Sequence, residues 1–256
     1  MEIELPKKII KASRTNPKSV IIYSQPKMGK TTIAAALKDS LLIDLEQGSE
    51  FVDAVKYDVI TKSKENKEIP IVTLKKLINK IRESNKEING YTYKYIIIDT
   101  VSALEDIVLP LANKMYKDTP IGRNWMGNDV TELPNGAGYR YTRLALATTI
   151  NEIEQLCDTV IILGHVKDKL VEQGGEEINE RSLDLTGKMS AILCSKVDAI
   201  GYLYRDEENT VINFQPSESL LCGSRSEHLK GQKITVASSD SSGNVTIDWS
   251  KIFIDE

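Results

Sequence analysis

The stretch IIYSQPKMGKTTIAAAL, Ile21 to Leu37, decides how the rest of the chain is read. From Ser24 it runs S-Q-P-K-M-G-K-T, the phosphate-loop pattern G-x-x-x-x-G-K-[ST] with serine in place of the first glycine. Ser19 to Tyr23 is a short β-branched run, Pro26 and Gly29 mark a turn, and KTTIAAALKD reads as a helix. Strand, loop and helix is the order such a loop requires, because successive backbone N–H groups must turn inward on an anion there. Ser24, Gln25, Pro26, Lys27, Met28, Gly29, Lys30, Thr31 and Thr32 are therefore the candidate nucleotide-binding residues. Lys30 adds a point charge toward phosphate, and the Thr31 hydroxyl is a ligand for Mg²⁺. The first glycine serves backbone geometry, so a serine forced into the left-handed conformation there costs on the order of 1 kcal/mol. Ser24→Gly is accordingly expected to be close to neutral.

Outward from the loop, SLLIDLEQG (40–48) reads as a second buried strand ended by Gly48. IVTLKKLINKIRESNKEI puts Ile71, Leu74, Leu77, Ile78 and Ile81 on one helical face. YKYIIIDT is a third strand, VSALEDIVLPLANKMY a helix, and residues 117–139 a loop rich in glycine and proline. RYTRLALATTINEIEQLC reads as a helix, DTVIILGH as a strand ending at His165, and residues 167–188 as a mobile polar loop around Gly174 and Gly175. Beyond it, SKVDAIGYLYRD, EENTVINFQP and KITVASSDSSGNVTIDW read as strands joined by hairpin turns. The expected fold class is α/β: a mostly parallel twisted sheet flanked by helices, with an antiparallel C-terminal edge extension. No linker interrupts the pattern, so a single domain is expected, with a basic arm at 1–18, a core at 19–206 and a β extension at 207–256.

Composition bounds the function. The 256 residues are 41% hydrophobic with a net charge of −4, enough for one well-packed domain and without a global basic signal for nucleic acid. Cys157, Cys194 and Cys222 are odd in number and widely spaced, suggesting neither a disulfide framework nor a zinc site. The acidic N-terminus and the lack of any long apolar run lead to the expectation of a cytoplasmic protein without a membrane anchor.

YIIIDT places Asp99 at the end of a buried strand, where a Walker B carboxylate holds the Mg²⁺ water shell; a cap on the following helix is the plainer reading. Asp44 and Glu46 close the strand after the phosphate-loop helix, where hydrolysis needs a group to position water.

Taken in order, SQPKMGKTT, LLIDLEQG, YIIIDTVSAL and VIILGH with its polar loop resemble the RecA-like ATPase family over roughly residues 19–206. The resemblance implies ATP and Mg²⁺, with Thr31 and Asp99 at the metal and Lys30, Glu46 and His165 catalytic. Glu46 matches the glutamate that activates water, and His165 stands where these recombinases carry a γ-phosphate-sensing glutamine. The Pro26–Lys27 pair, the short N-terminus, Gly164–His165 and LTGKMSAILCSKVDAIGYLYR are similar to phage-type shortened relatives of RecA. Those relatives act in recombination and single-strand annealing, which implies single-stranded DNA, a homo-oligomer as ring or filament, and a cation supplied by the neighbour. Lys188, Lys196 and Arg205 are candidates for that cation, and a single-strand-binding protein is a possible partner.

For DNA, residues 167–188 carry four basic against six acidic residues, and only their ends look useful. Residues 114–143 hold Lys114, Lys117, Arg123, Arg140 and Arg143 against three acids, with Tyr116, Trp125, Tyr139 and Tyr141 interleaved, which suits stacking on single-stranded bases. The competing expectation is that these rings pack the loop onto the sheet. The N-terminal arm adds Lys7, Lys8, Lys11, Arg14 and Lys18. The alternative function is a nucleotide-dependent loader that recruits a helicase or single-strand-binding protein; a small-molecule kinase lacks the arginine-rich lid it would need.

Overall fold

The computed structural model describes residues 5, 7–173, 176–240 and 242–254. After an irregular and largely exposed arm come β1 (Ser19–Ser24), α1 (Lys30–Ala35), β2 (Ser40–Asp44), β3 (Lys56–Asp58), α2 (Val59–Glu65) and α3 (Pro70–Ile88). They are followed by β4 (Tyr95–Asp99), α4 (Val101–Ile107) and α5 (Leu109–Lys117), and three short 3₁₀ turns then lead into α6 (Ala137–Glu154). The chain continues with β5 (Thr159–Gln173), β6 (Glu176–Leu183), α7 (Met189–Lys196), β7 (Ala199–Asp206), β8 (Asn209–Asn213), β9 (Gly223–Ser224), β10 (Lys233–Ser239) and β11 (Val245–Ile247).

The strands form one sheet in the order β11-β10-β8-β7-β1-β5-β4-β2-β3, with β6 added to β5 and β9 to β7. From β3 across to β7 every pairing is parallel, and from β7 through β8 and β10 to β11 every pairing is antiparallel. This is the expected α/β class with its antiparallel edge. Because side chains alternate across a strand, each central strand feeds two cores. Ile21, Ile43, Ile98 and Ile162 pack with α3, α4, α6 and α7 on one face, while Ile22, Leu42, Ile97 and Ile161 pack on the other. That second face is covered by the short α1 and by Trp249, Ile252 and Phe253, and the Trp249 indole donates to the Ile33 carbonyl at 2.9 Å.

Three expectations are corrected. Residues 167–183 are not a loop: β5 runs on past His165 and pairs antiparallel with β6 from Val166↔Leu183 to Gln173↔Glu176, while Gly174 and Gly175 lie outside the described residues. Lys167, Asp168, Lys169 and Leu170 in succession are all exposed, so this charged stretch lacks the alternation that marks a half-buried strand. The helix read over 101–116 is two helices, α4 and α5, because Pro110 in the first turn of α5 removes a backbone donor. The small β3 and α2 were not expected; a three-residue edge strand carries too little pattern to be seen.

Candidate functional site

The parallel register collects the motifs in one row. Ser24 pairs with His165 across β1 and β5, Asp99 pairs with Leu163 across β4 and β5, and Asp44 pairs with Asp99 across β2 and β4. Stretches far apart in sequence thus end at the same edge of the sheet, beside the phosphate loop.

Within that loop the left-handed residues are Lys27 (φ 63°) and Gly29 (φ 88°), not Ser24. The backbone cost expected at Ser24 therefore falls on Lys27, and Ser24 is simply the buried last residue of β1. Its hydroxyl has a role the sequence did not suggest: it accepts from the Lys30 ammonium at 3.0 Å and donates to the Gln25 carbonyl at 2.8 Å. The same ammonium donates to the Ser24 and Gln25 carbonyls at 3.4 and 3.2 Å. Lys30 is 6% exposed, and burial lowers its pKa against the opposing pull of Asp99 and Glu46. Gln25, Pro26, Lys27 and Thr32 are exposed around it, and Met28 packs against the second core.

Asp99 does not cap α4. Thr100 does, accepting from the Ala103 amide, while Asp99 accepts from the Thr31 hydroxyl at 2.7 Å. Burial pushes the Asp99 carboxyl up, and the neighbouring Glu46 and Asp44 charges push the same way against Thr31 and Lys30. Asp44 is 1% exposed and shapes the turn after β2: it accepts from the amides of Glu46, Gly48 and Ser49 and from the Ser49 hydroxyl. Its own burial raises its pKa, but the Ser49 hydroxyl and the three amides outweigh that and hold it below the usual range. This turn presents Glu46, whose carboxylate accepts from the Thr100 hydroxyl and lies 3.6 Å from His165 Nε2. Sequence reasoning named Glu46 and His165 but missed Thr100 and the role of Asp44; a hydroxyl directly after the strand-end aspartate was the available signal for Thr100.

Two carboxylates, Glu46 and Asp99, thus act on the one buried lysine, with Asp44 behind them adding negative charge at Asp99, and beside Glu46 stands a histidine whose buried Nδ1 has no hydrogen-bond partner among the described residues. This residual negative charge and the hard-oxygen pair of Thr31 and Asp99 fit Mg²⁺, which is held by one or two protein oxygens and completes its shell with water and phosphate. Among the described residues no group of three His, Cys, Asp or Glu could cage a metal by itself. The loop amides and Lys30 likewise fit a nucleotide's phosphates. His165 also marks the point where β5 leaves the sheet for the β5–β6 ribbon, and its carbonyl accepts from the Asp184 amide on the ribbon's return.

The candidate DNA residues divide between the two expectations, three rings packing on the core and one remaining exposed. Tyr116 packs edge-on against both Trp125 and Tyr141 with ring centres 5.2 Å apart, and all three lie against the main core, leaving Tyr139 as the exposed ring. The loop is held close by Gly138, where an added Cβ would sit 1.5 Å from the Val130 carbonyl oxygen. Tyr139, Arg140 and Arg143 instead line a cleft of about 290 Å³ with Lys188, so the useful ends of both candidate segments meet. The turn before Lys188 is pinned by buried Glu105, which accepts from the Thr186 amide and whose pKa is raised by burial. Arg14 of the N-terminal arm is bound to Asp158, and the arm ends beside the opposite edge of β1. Lys196 ends α7 just before the start of β7, also away from the phosphate loop, whereas Arg205 lies beside Gly29 of its own chain.

All three cysteines are buried free thiols, and among the described residues no helix is long and apolar enough to cross a membrane. Two solved structures are similar to the chain at low identity. One is a KaiC-like protein of the hyperthermophilic archaeon Pyrococcus horikoshii OT3, with TM-score 0.40 and 12% identity over 90% of this chain and 88% of that one. The other is the RadB recombinase, with TM-score 0.42 and 10% identity over 90% and 91%. No curated protein matches the chain. A family model described as an AAA domain (AAA_24) matches residues 16–226, a span that holds the phosphate loop and its facing carboxylates, and the chain belongs to this family.

Proposed function

We propose that residues 1–256 form one ATPase domain that hydrolyses Mg²⁺-bound ATP and acts on single-stranded DNA, in recombination or annealing of the phage type, as a homo-oligomer. The observation that carries the hydrolytic reading is the placement of Glu46: Thr100 and the Asp44-braced turn hold its carboxylate at the edge that carries Lys30 and Asp99. The phosphate-loop amides and Lys30 hold the phosphates, and Thr31 and Asp99 hold the metal, which supplies charge neutralisation when bound. Glu46 orients and deprotonates water, and His165 reports the site's state to the β5–β6 ribbon. The cleft of Tyr139, Arg140, Arg143 and Lys188 supports a strand-binding role, because it joins cations for phosphate to a free ring for a base.

The test is ATP turnover with and without single-stranded DNA, together with nucleotide titrations. Glu46→Gln should lower turnover by about 10²-fold or more while sparing nucleotide affinity, and Lys30→Ala should abolish binding. Equal turnover in Glu46→Gln removes Glu46 from the reaction. A second reading, a loader that recruits a helicase or single-strand-binding protein, is favoured by one observation: the rings expected to stack on bases are packed away, whereas Ile121 and Met126 of the same loop are 85% and 91% exposed. Failure to shift a labelled oligonucleotide, with or without ATP and across a salt series, selects the loader.

A further inference from the structure

We infer that Arg205 completes the nucleotide site of its own chain, gripping the phosphate tail at its nucleoside end, rather than reaching into the site of a neighbouring copy. The inference rests on the nucleotide reading above and deepens it.

β7 lies beside β1 and parallel to it, in register from Val20↔Ala199 to Tyr23↔Tyr202. Arg205 therefore stands three residues past the last pair, at the edge of the sheet where the phosphate loop begins. Its guanidinium Nη2 lies 3.7 Å from where a Cβ on Gly29 would be, and no other atom outside the adjoining residues comes within 4 Å of that point. The adjoining turn carries Asp206, Glu207 and Glu208. Even so, among the described residues the Arg205 guanidinium makes no hydrogen bond or ion pair, and the side chain is exposed.

The sheet order assigns the end of the ligand that this cation meets. β5, β4 and β2 lie on one side of β1 and carry His165, Asp99 and the turn with Glu46; β7 lies on the other side. A terminal phosphoryl group must face Glu46 and the Thr31–Asp99 pair to react. The rest of the nucleotide then runs back across Gly29 toward β7, where Arg205 waits. A planar guanidinium suits this position because it can donate two parallel hydrogen bonds to one phosphate. Gly29 lacks a side chain that would stand between them.

The experiment uses the full chain and fluorescent ADP and ATP analogues with Mg²⁺, read by anisotropy. Loss of a hydrogen bond to a charged group in Arg205→Ala should weaken both nucleotides about tenfold or more, with Arg205→Lys recovering part of the loss. Mixing Arg205→Ala with Lys30→Ala separates the two geometries. An intact phosphate loop on one chain and an intact arginine on the other restore turnover only if the arginine acts across a subunit boundary, so no restoration is expected. Unchanged ADP affinity in Arg205→Ala, or turnover restored on mixing, overturns the inference while leaving the nucleotide reading in place. Absence of binding by the unaltered chain overturns the nucleotide reading and this inference with it.

Discussion

Asp44 offers the most direct test of how the site is built, because its hydrogen bonds run to its own turn and through that turn set the position of Glu46. Asp44→Ala strips acceptors from the Glu46 amide (3.0 Å), the Gly48 amide (3.3 Å), the Ser49 amide (3.0 Å) and the Ser49 hydroxyl (2.5 Å). Glu46 and Gly48 are exposed and regain water, but Ser49 is 2% exposed and does not. Two donors left unsatisfied in a buried place, plus the lost charged acceptor, cost about 3 kcal/mol. For a chain of this size that corresponds to a fall in Tm of roughly 6–12 °C, measurable by scanning calorimetry.

Turnover should fall with stability, by on the order of 10²-fold at temperatures where the variant is folded, because a displacement of about 1 Å in Glu46 is enough to lose the water's alignment. Nucleotide affinity should hold, since Lys30 and the loop amides are untouched. The pH dependence has a definite sign. The folded carboxyl lies below its ordinary value of 3.8, so the unfolded chain binds the proton more readily than the folded one. Asp44's contribution is then complete above about pH 4 and is lost as pH falls through the depressed folded value. The Tm gap between the unaltered chain and Asp44→Asn should close over that acid limb. A variant with unchanged Tm and unchanged turnover at neutral pH would refute the reasoning, as would a gap that widens on acidification.

Two further substitutions probe the loop and its surroundings. Ser24→Gly removes one of three acceptors of the Lys30 ammonium and should lower stability by about 1 kcal/mol, seen as a small drop in Tm, while nucleotide affinity stays within about threefold because the loop's left-handed positions are elsewhere; a tenfold change in affinity sinks this account. Gly138→Ala forces a Cβ against the Val130 carbonyl and should cost about 3 kcal/mol, with a red shift of Trp125 emission as residues 118–136 lift off α6; Trp249 is buried against α1 and should not contribute to the shift.

Much of this molecule was legible in its residues. The phosphate loop, the strand-ending Asp99 and the turn with Glu46 could be read because each is a local statement: a hydrogen-bonding pattern, a φ requirement or a run of β-branched side chains over fewer than ten residues. The parallel core followed from apolar runs without alternation, since a strand covered on both faces has no polar side. The β5–β6 ribbon was missed for the converse reason: Lys167, Asp168, Lys169 and Leu170 are exposed on both faces, so burial impresses no period on that stretch.

The residues alone supplied the candidates: side chains of the types proposed to hold phosphate, ligate Mg²⁺ and orient water, and the order in which they occur. Tertiary structure alone decided which of them meet. The order β7-β1-β5-β4-β2 brings Asp99 to Thr31, sets Glu46 between Thr100 and His165 and lays Arg205 on Gly29, while packing on the core leaves three of the four rings that composition had offered to DNA partly buried. Strand order is the sum of many weak contacts between residues distant in the chain, and no short stretch of sequence contains it.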